Sequence, residues 1–169
     1  MRKRSREDLV SMFESLGEPD ADWWADAELN SRTAFLAQYV FLRAAWKQLV
    51  AEDNVAWIDD ALRSTEGPTA PGAGLKPALK RLLEKGCDPS DITEVVRVMQ
   101  WRLLFDLCSL LTSHTLGRED LRKAGVDVDD VAWCLYECDP RSGKTRRPLG
   151  ALHEDVLGFD PTGREMRPR

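Results

Sequence analysis

The sequence predicts a mostly α fold, a single-domain helical bundle around a central buried helix, with a small β-hairpin near the C-terminus. Two long segments, residues 31–52 and about 89–112, repeat large apolar side chains every three or four positions, as one face of a helix does. The hairpin is indicated by residues 131–138, which are rich in strand formers, and by residues 144–149 beyond a turn with Gly143.

Capping residues mark the first helices. Ser5 is a suitable N-cap for a helix over about residues 6–16. The next helix could start at Asp20 or at Asn30/Ser31, and we expect a break near residue 30. The apolar stripe after that break consists of Phe35, Tyr39, Leu42, Trp46 and Leu49.

The middle of the chain alternates short helices with a loop. We predict a short helix over about residues 55–62, a mobile Gly/Pro-rich loop at 64–74, and a helix over Leu75–Lys85. Asp88 then caps the 89–112 helix. Because this helix is apolar on most sides, it is predicted to lie buried at the centre of the bundle, with the preceding long helix beside it.

The C-terminal part predicts shorter elements. A helix over residues 128–137 competes with the first hairpin strand, and we favour the strand. Leu152–Leu157 predicts a brief helix, and residues from about 160 to 169 form a polar tail. We expect residues 1–169 to form one domain, because neither side of the Gly/Pro-rich loop looks self-sufficient.

The composition is that of a globular protein. Hydrophobic residues make up 43% and charged residues 31%, which is enough apolar material for a core. No apolar run approaches the roughly 20 residues that span a bilayer, so membrane insertion is not expected. Acidic residues follow the basic N-terminus where a signal peptide needs an apolar stretch, which favours a cytoplasmic location.

The net charge of −5 is unevenly distributed along the chain. Residues 7–62 contain twelve acidic and only three basic side chains. This half would repel phosphates and would suit a basic protein partner. The alternative is a solvated acidic face that aids solubility.

Two adjacent tryptophans lie within this acidic half. Neighbouring residues cannot both face one core from a helix, and no basic residue occurs between positions 18 and 28. Aromatic anchors with an acidic rim are typical of a site for a basic partner. Alternatively, one indole packs inward and the other half-covers the bundle. The predicted partner-binding residues are Asp20, Asp22, Trp23, Trp24, Asp26 and Glu28.

No catalytic motif is complete. Residues 142–145 resemble the end of a phosphate-binding loop, but Cys138 stands where its first glycine should be, so a hairpin turn is favoured. His153 and Glu154 begin like a zinc-protease motif, but Leu157 replaces the second histidine.

Two other functions remain as alternatives. An enzyme of unrecognised class would bring His114, His153 and Glu154 together in a concave pocket. Nucleic-acid binding through the basic hairpin and tail is disfavoured, because aromatic side chains for stacking are scarce there. The sequence leaves open whether Cys134, Cys138, His114 and His153 converge on a metal.

The leading hypothesis is a non-catalytic protein–protein interaction module of bacterial type, such as a small acidic inhibitor or immunity protein. It rests on the incomplete catalytic motifs and on the acidic tryptophan segment. The partner is an unknown protein that we expect to be basic, and a homo-oligomer is left open. No cofactor is predicted.

Overall fold

The computed structural model is mostly α-helical with one two-stranded antiparallel sheet, which confirms the predicted fold class. The structure describes residues 4–65, 67–112, 118–125, 127 and 133–167. The chain divides into two compact units: the terminal unit, Met1–Trp46 with Phe105–Arg169, and the middle unit, Lys47–Leu104. The single-domain organisation stays a prediction.

The terminal unit begins with two helices that pack on each other, α1 (Arg6–Ser15) and α2 (Ala21–Asn30). Ser5 closes a capping box, in which its hydroxyl accepts from the Asp8 amide at 3.1 Å and the Asp8 carboxylate accepts from the Ser5 amide at 3.0 Å. The chain leaves α1 through Gly17, whose φ of 85° suits a residue without a Cβ.

The predicted break near residue 30 is confirmed, because α2 ends there and α3 spans Phe35–Trp46. The predicted extension of this helix to residue 52 is wrong. In a longer helix the amide of Val50 would donate to the carbonyl of Trp46, but it donates to the side-chain oxygen of Gln100 at 2.8 Å instead.

The C-terminal part of the terminal unit contains α7 (Arg118–Lys123), β1 (Tyr136–Cys138), β2 (Thr145–Pro148) and α8 (Leu152–Asp155), followed by a 3-10 turn over Val156–Phe159. The strands pair with Tyr136 opposite Pro148 and Cys138 opposite Thr145. This pairing confirms the hairpin and contradicts the alternative helix at residues 136 and 137. Residues 128–132 of that prediction lie outside the described residues.

The terminal unit has an aromatic core where α1, α2, α3 and the 3-10 turn meet. Phe13 and Tyr39 pack edge to face at 5.2 Å between ring centroids, and Tyr39 and Phe159 do so at 4.9 Å. Edge-to-face pairs add to the gain from burial. This core therefore fixes the inner face of α2.

The middle unit contains α4 (Ala56–Arg63), α5 (Leu75–Glu84) and the first two thirds of α6 (Pro89–Thr112). Its core is formed by Ile58, Leu79 and Ile92, one side chain from each helix. The Gly/Pro-rich segment between α4 and α5 forms turns, as predicted.

One face of α6 is not buried, which corrects the prediction of a central buried helix. Val95, Met99 and Leu103 are 63%, 62% and 59% exposed. Besides Ile92 and Cys108, the helix buries two polar residues on the side opposite this face, Thr93 and Arg97. Apolar periodicity shows which residues share a face, but not whether another element covers that face. No helix in the described ranges combines the length and the apolar character needed to cross a bilayer.

Candidate functional site

The two adjacent tryptophans of α2 have different surroundings. Trp24 is 9% exposed and belongs to the aromatic core, where it packs edge to face on Tyr39 at 5.1 Å and on Phe159 at 5.9 Å. Trp23 is 52% exposed. Successive residues of a helix point about 100° apart, so burial of one indole leaves the other outside. Trp24 is therefore a core residue, and Trp23 is available to a partner.

The exposed indole of Trp23 is supported by two aromatic neighbours. Its ring lies 5.3 Å from that of Trp24 and 5.8 Å from that of Phe35, nearly perpendicular to both. These contacts restrict the side chain before any partner arrives. A side chain that is already ordered loses less conformational entropy on binding.

Two of the acidic residues near Trp23 contact a basic residue of α1. The Arg6 guanidinium lies 2.8 Å from an Asp22 oxygen through Nη2 and 2.7 Å from an Asp26 oxygen through Nε. The hydrogen bond from Arg6 lowers the pKa of Asp26, and the same contacts raise the pKa of Arg6. Asp20 lies exposed before the first turn of α2, and its side chain makes no capping hydrogen bond there.

Glu28, the last predicted partner-binding residue, is only 7% exposed and pairs with Arg147 of β2. Its Oε2 accepts from the amide of Leu36 at 2.9 Å. Burial opposes the charge on Arg147, but Glu28 and Glu137 outweigh it, so the pKa of Arg147 is raised. Glu28 thus stabilises the fold and does not line the surface around Trp23.

The hairpin uses part of its basic charge internally. Arg146 pairs with Asp139 and lies 3.4 Å from Glu137. The Asp139 carboxylate also accepts from the amides of Arg141 and Ser142 at 2.9 and 3.0 Å, and these bonds lower its pKa, with Arg146 adding to the effect. Backbone amides that a phosphate-binding loop would offer to its ligand are therefore occupied, in agreement with the hairpin-turn interpretation.

The residues of the enzyme hypothesis are only partly described. His114 lies outside the described residues. His153 Nδ1 lies 3.3 Å from the hydroxyl of Thr112, and its ring packs on Phe105 at 6.1 Å. Glu154 is exposed. Within the part of the chain that the structure describes, no three His, Cys, Asp or Glu side chains are grouped to hold a metal ion.

The cysteines differ in accessibility. Cys108 is fully buried, and burial raises its pKa to about 11. Cys134 and Cys138 are exposed, Cys87 is half-buried, and none of the four cysteines forms a disulfide. A thiol held protonated by burial is a poor nucleophile and a poor metal ligand. Cys108 therefore has a structural role.

The middle unit contains a shallow groove of about 380 Å³ between the Gly/Pro-rich turns and α5. Its lining includes Pro68, Leu75 and Pro77. Among the described residues that line it, Lys76 alone is titratable, and the Lys76 ammonium donates to the carbonyl of Ser64 at 2.8 Å. The described part of the lining therefore offers no acid–base pair for catalysis.

The exposed site that remains consists of Asp20, Asp22, Trp23 and Asp26, which we call the Trp23 patch. Sequence reasoning found these four residues but missed Arg6, which reaches them only because α1 packs on α2. The sequence marks Arg6 only as a basic residue in the first turn of a capped helix. Comparison of the chain with protein-family models, curated proteins and solved structures finds no match.

Proposed function

We propose that the protein is a non-catalytic interaction module whose Trp23 patch binds a basic segment of another protein. The observation that supports this most directly is the exposed indole of Trp23, which is held between Trp24 and Phe35 and bordered by three carboxylates. Ordered aromatic side chains at the centre of a contact commonly provide much of its binding energy.

The chemistry of the patch suits a lysine or arginine side chain. A cation can lie over the face of the indole, and each such contact contributes about 0.5–1 kcal/mol at an exposed site. Arg6 balances one of the three neighbouring carboxylate charges, so the patch remains negative. Negative charge around the anchor accelerates the encounter with a basic partner and discriminates against acidic ones.

The wider sequence supports the same proposal. The net charge of −5 and the acidic residues 7–62 fit a small acidic inhibitor or immunity-type protein of the bacterial cytoplasm. The hairpin arginines Arg146 and Arg147 are paired within the chain, which reduces the charge available for a phosphate backbone.

The test compares two matched double variants. Trp23→Ala/Asp20→Lys alters the patch, and Val55→Ala/Asp59→Lys makes the same kinds of change in the middle unit, where Val55 is exposed and Asp59 lies in the first turn of α4. Proteins captured from lysate by the immobilised wild-type chain are identified, purified and titrated against all three chains. Circular dichroism confirms equal helix content.

We expect the patch variant to weaken binding of the cognate partner about tenfold or more, because truncating an anchor and reversing a rim charge both act on one contact. The middle-unit variant should bind like the wild type. Binding of the wild type should also weaken with rising salt, because exposed charges are screened. Equal affinity of the patch variant and the wild type for every captured protein would reject the Trp23 patch.

A further inference from the structure

The exposed face of α6 has a composition that is normally found inside proteins. Over residues 95–110 the exposed side chains are five apolar ones and two charged ones. We call the apolar set the α6 stripe: Val95, Met99, Leu103, Leu107 and Leu110. Successive members are four, four, four and three positions apart, so they share one side of the helix over about 24 Å.

The opposite side of α6 makes this exposure more unusual. Thr93 is fully buried and Arg97 is 4% exposed, although an apolar side chain costs less to bury than either of them. Besides Ile92, the helix therefore turns two polar residues inward in the middle unit, while Val95, Met99 and Leu103 point outward. Soluble monomers rarely leave a long contiguous apolar surface in water, and such surfaces mark contacts with other molecules.

The two charged residues of this face indicate the occupant. Arg102 and Asp106 are both exposed, and they are four positions apart on the stripe side of α6. When two copies of a helix pack antiparallel about a twofold axis, a residue that precedes the axis by a given number of positions in one copy meets a residue of the other copy. That second residue follows the axis by the same number of positions. An axis near Leu104 would place Arg102 of each copy beside Asp106 of the other.

The same charges disfavour a parallel pair. In a parallel twofold pair, a residue at the centre of the contact faces its own copy, so Asp106 would lie near Asp106 of the other chain. Like charges in a contact from which water is excluded strongly disfavour association. Along the helix, the level of the proposed axis at Leu104 is also close to the midpoint of the stripe, so one arrangement satisfies both the charges and the apolar side chains.

We propose that the α6 stripe is an interface between two copies of this chain, which pair antiparallel through α6 with reciprocal Arg102–Asp106 contacts. The interface buries apolar side chains on both copies and leaves the contact without net charge, since one base and one acid come from each. It is independent of the Trp23 patch, which lies on α2.

The first experiment measures the mass of the full chain in solution over a roughly hundredfold concentration range, because self-association depends on concentration. Sedimentation velocity should show a monomer–dimer equilibrium. Met99→Glu/Leu103→Glu places charges in the stripe and should raise the dimer dissociation constant about tenfold or more. The control Val40→Glu/Val55→Glu changes two exposed apolar residues elsewhere and should leave dimerisation unchanged. Both variants alter exposed positions, and circular dichroism checks that they fold.

The second experiment tests the antiparallel register by reversing one charge at a time and then mixing the two variants. Arg102→Asp gives a chain with two acids on the stripe side, and Asp106→Arg gives one with two bases. Each alone should dimerise about tenfold more weakly than the wild type, because the reciprocal contacts become repulsive. An equimolar mixture should recover dimerisation, since every contact again joins an acid to a base. A folding defect in either variant would persist in the mixture, so recovery on mixing shows that the two chains contact each other.

The outcomes are distinct. A wild-type chain that remains monomeric throughout the range would overturn the proposal and leave the stripe to a different partner. A dimer that persists in Met99→Glu/Leu103→Glu would place the interface on another surface. A dimer that is lost in that variant but is not recovered by mixing, or that neither single charge reversal weakens, would overturn the antiparallel register. In a parallel pair like charges already face each other in the wild type, so a single reversal would not make the facing contacts repulsive. Loss in the stripe variant, weakening by each single reversal and recovery on mixing together support the proposal.

Discussion

Arg147 of β2 pairs with the carboxylate of Glu28 in α2, although the two residues are 119 positions apart. Arg147 also donates to the carbonyl oxygens of Glu28 and Thr33 at 3.0 and 3.3 Å. Glu28 in turn accepts from the amide of Leu36 at the start of α3. One ion pair therefore joins the hairpin, the end of α2 and the connection to α3.

We expect Glu28→Ala to lower the free energy of unfolding by about 2–3 kcal/mol, because it leaves the Leu36 amide and the largely buried Arg147 short of an acceptor. This is below the usual cost of breaking a buried pair, since Arg147 is about one-third exposed and retains Glu137. Urea denaturation measures the change. The control Asp60→Ala removes the exposed pair with Arg63 and should cost much less, because water screens such a pair. Equal costs for the two variants would contradict the structural role of Glu28.

Local signals in the sequence were sufficient for most helices. Ser5 caps α1, and the Asp88-Pro89 start places α6 at Pro89–Thr112, as predicted. Caps, breaks and periodicity act over one or two turns, so they can be recognised in the sequence alone. The same local signals predicted the hairpin.

The missed features all depend on tertiary contacts. Arg6 reaches Asp22 and Asp26 across the packing of α1 on α2, and Arg147 reaches Glu28 from the far end of the chain. Charges that are distant in sequence cannot be paired without knowing the fold. The acidic segment around the tryptophans was therefore predicted to be more exposed and less neutralised than it is.

The different surroundings of Trp23 and Trp24 predict different costs of truncation. Trp24→Ala removes the indole at the centre of the aromatic core and should lower the free energy of unfolding by about 3–5 kcal/mol. Trp23→Ala leaves that core intact and should cost about 1 kcal/mol, the loss of its edge-to-face contacts. Thermal and urea denaturation provide the comparison. Similar losses for the two variants would contradict the inward position of Trp24.

Thiol labelling should separate the cysteines by burial. Cys134 and Cys138 are exposed, whereas Cys108 is inaccessible and its pKa is raised to about 11. We expect iodoacetamide to alkylate the two exposed thiols of the folded chain at least about a hundredfold faster than Cys108, since only an accessible thiolate reacts. Peptide mass spectrometry measures each rate. Unfolding in urea should make the rates similar, and rapid labelling of Cys108 in the folded chain would contradict its burial.

The carboxyl group of Asp155 predicts an unusual dependence of stability on pH. Burial raises its pKa, and the hydrogen bond that Gln38 donates to it opposes this effect only in part. The folded chain therefore holds this proton more tightly than the unfolded chain does. The contribution of Asp155 to stability is largest below the unfolded pKa of about 4 and falls as pH rises through the higher folded value.

Asp155→Asn has no proton to lose, and its amide oxygen can still accept from Gln38. We therefore expect the free energy of unfolding of this variant, relative to the wild type, to increase as pH rises above about 4 and to level off beyond the folded pKa.

Asp26→Asn is the control with the opposite sign. Arg6 lowers the pKa of Asp26, so the wild type should gain stability relative to that variant as pH rises from the folded value of this pKa to the unfolded one. Urea denaturation at closely spaced pH values measures both differences. If the Asp155→Asn difference were constant with pH, or had the same sign of slope as that of Asp26→Asn, burial of the Asp155 carboxyl would not be controlling its ionisation.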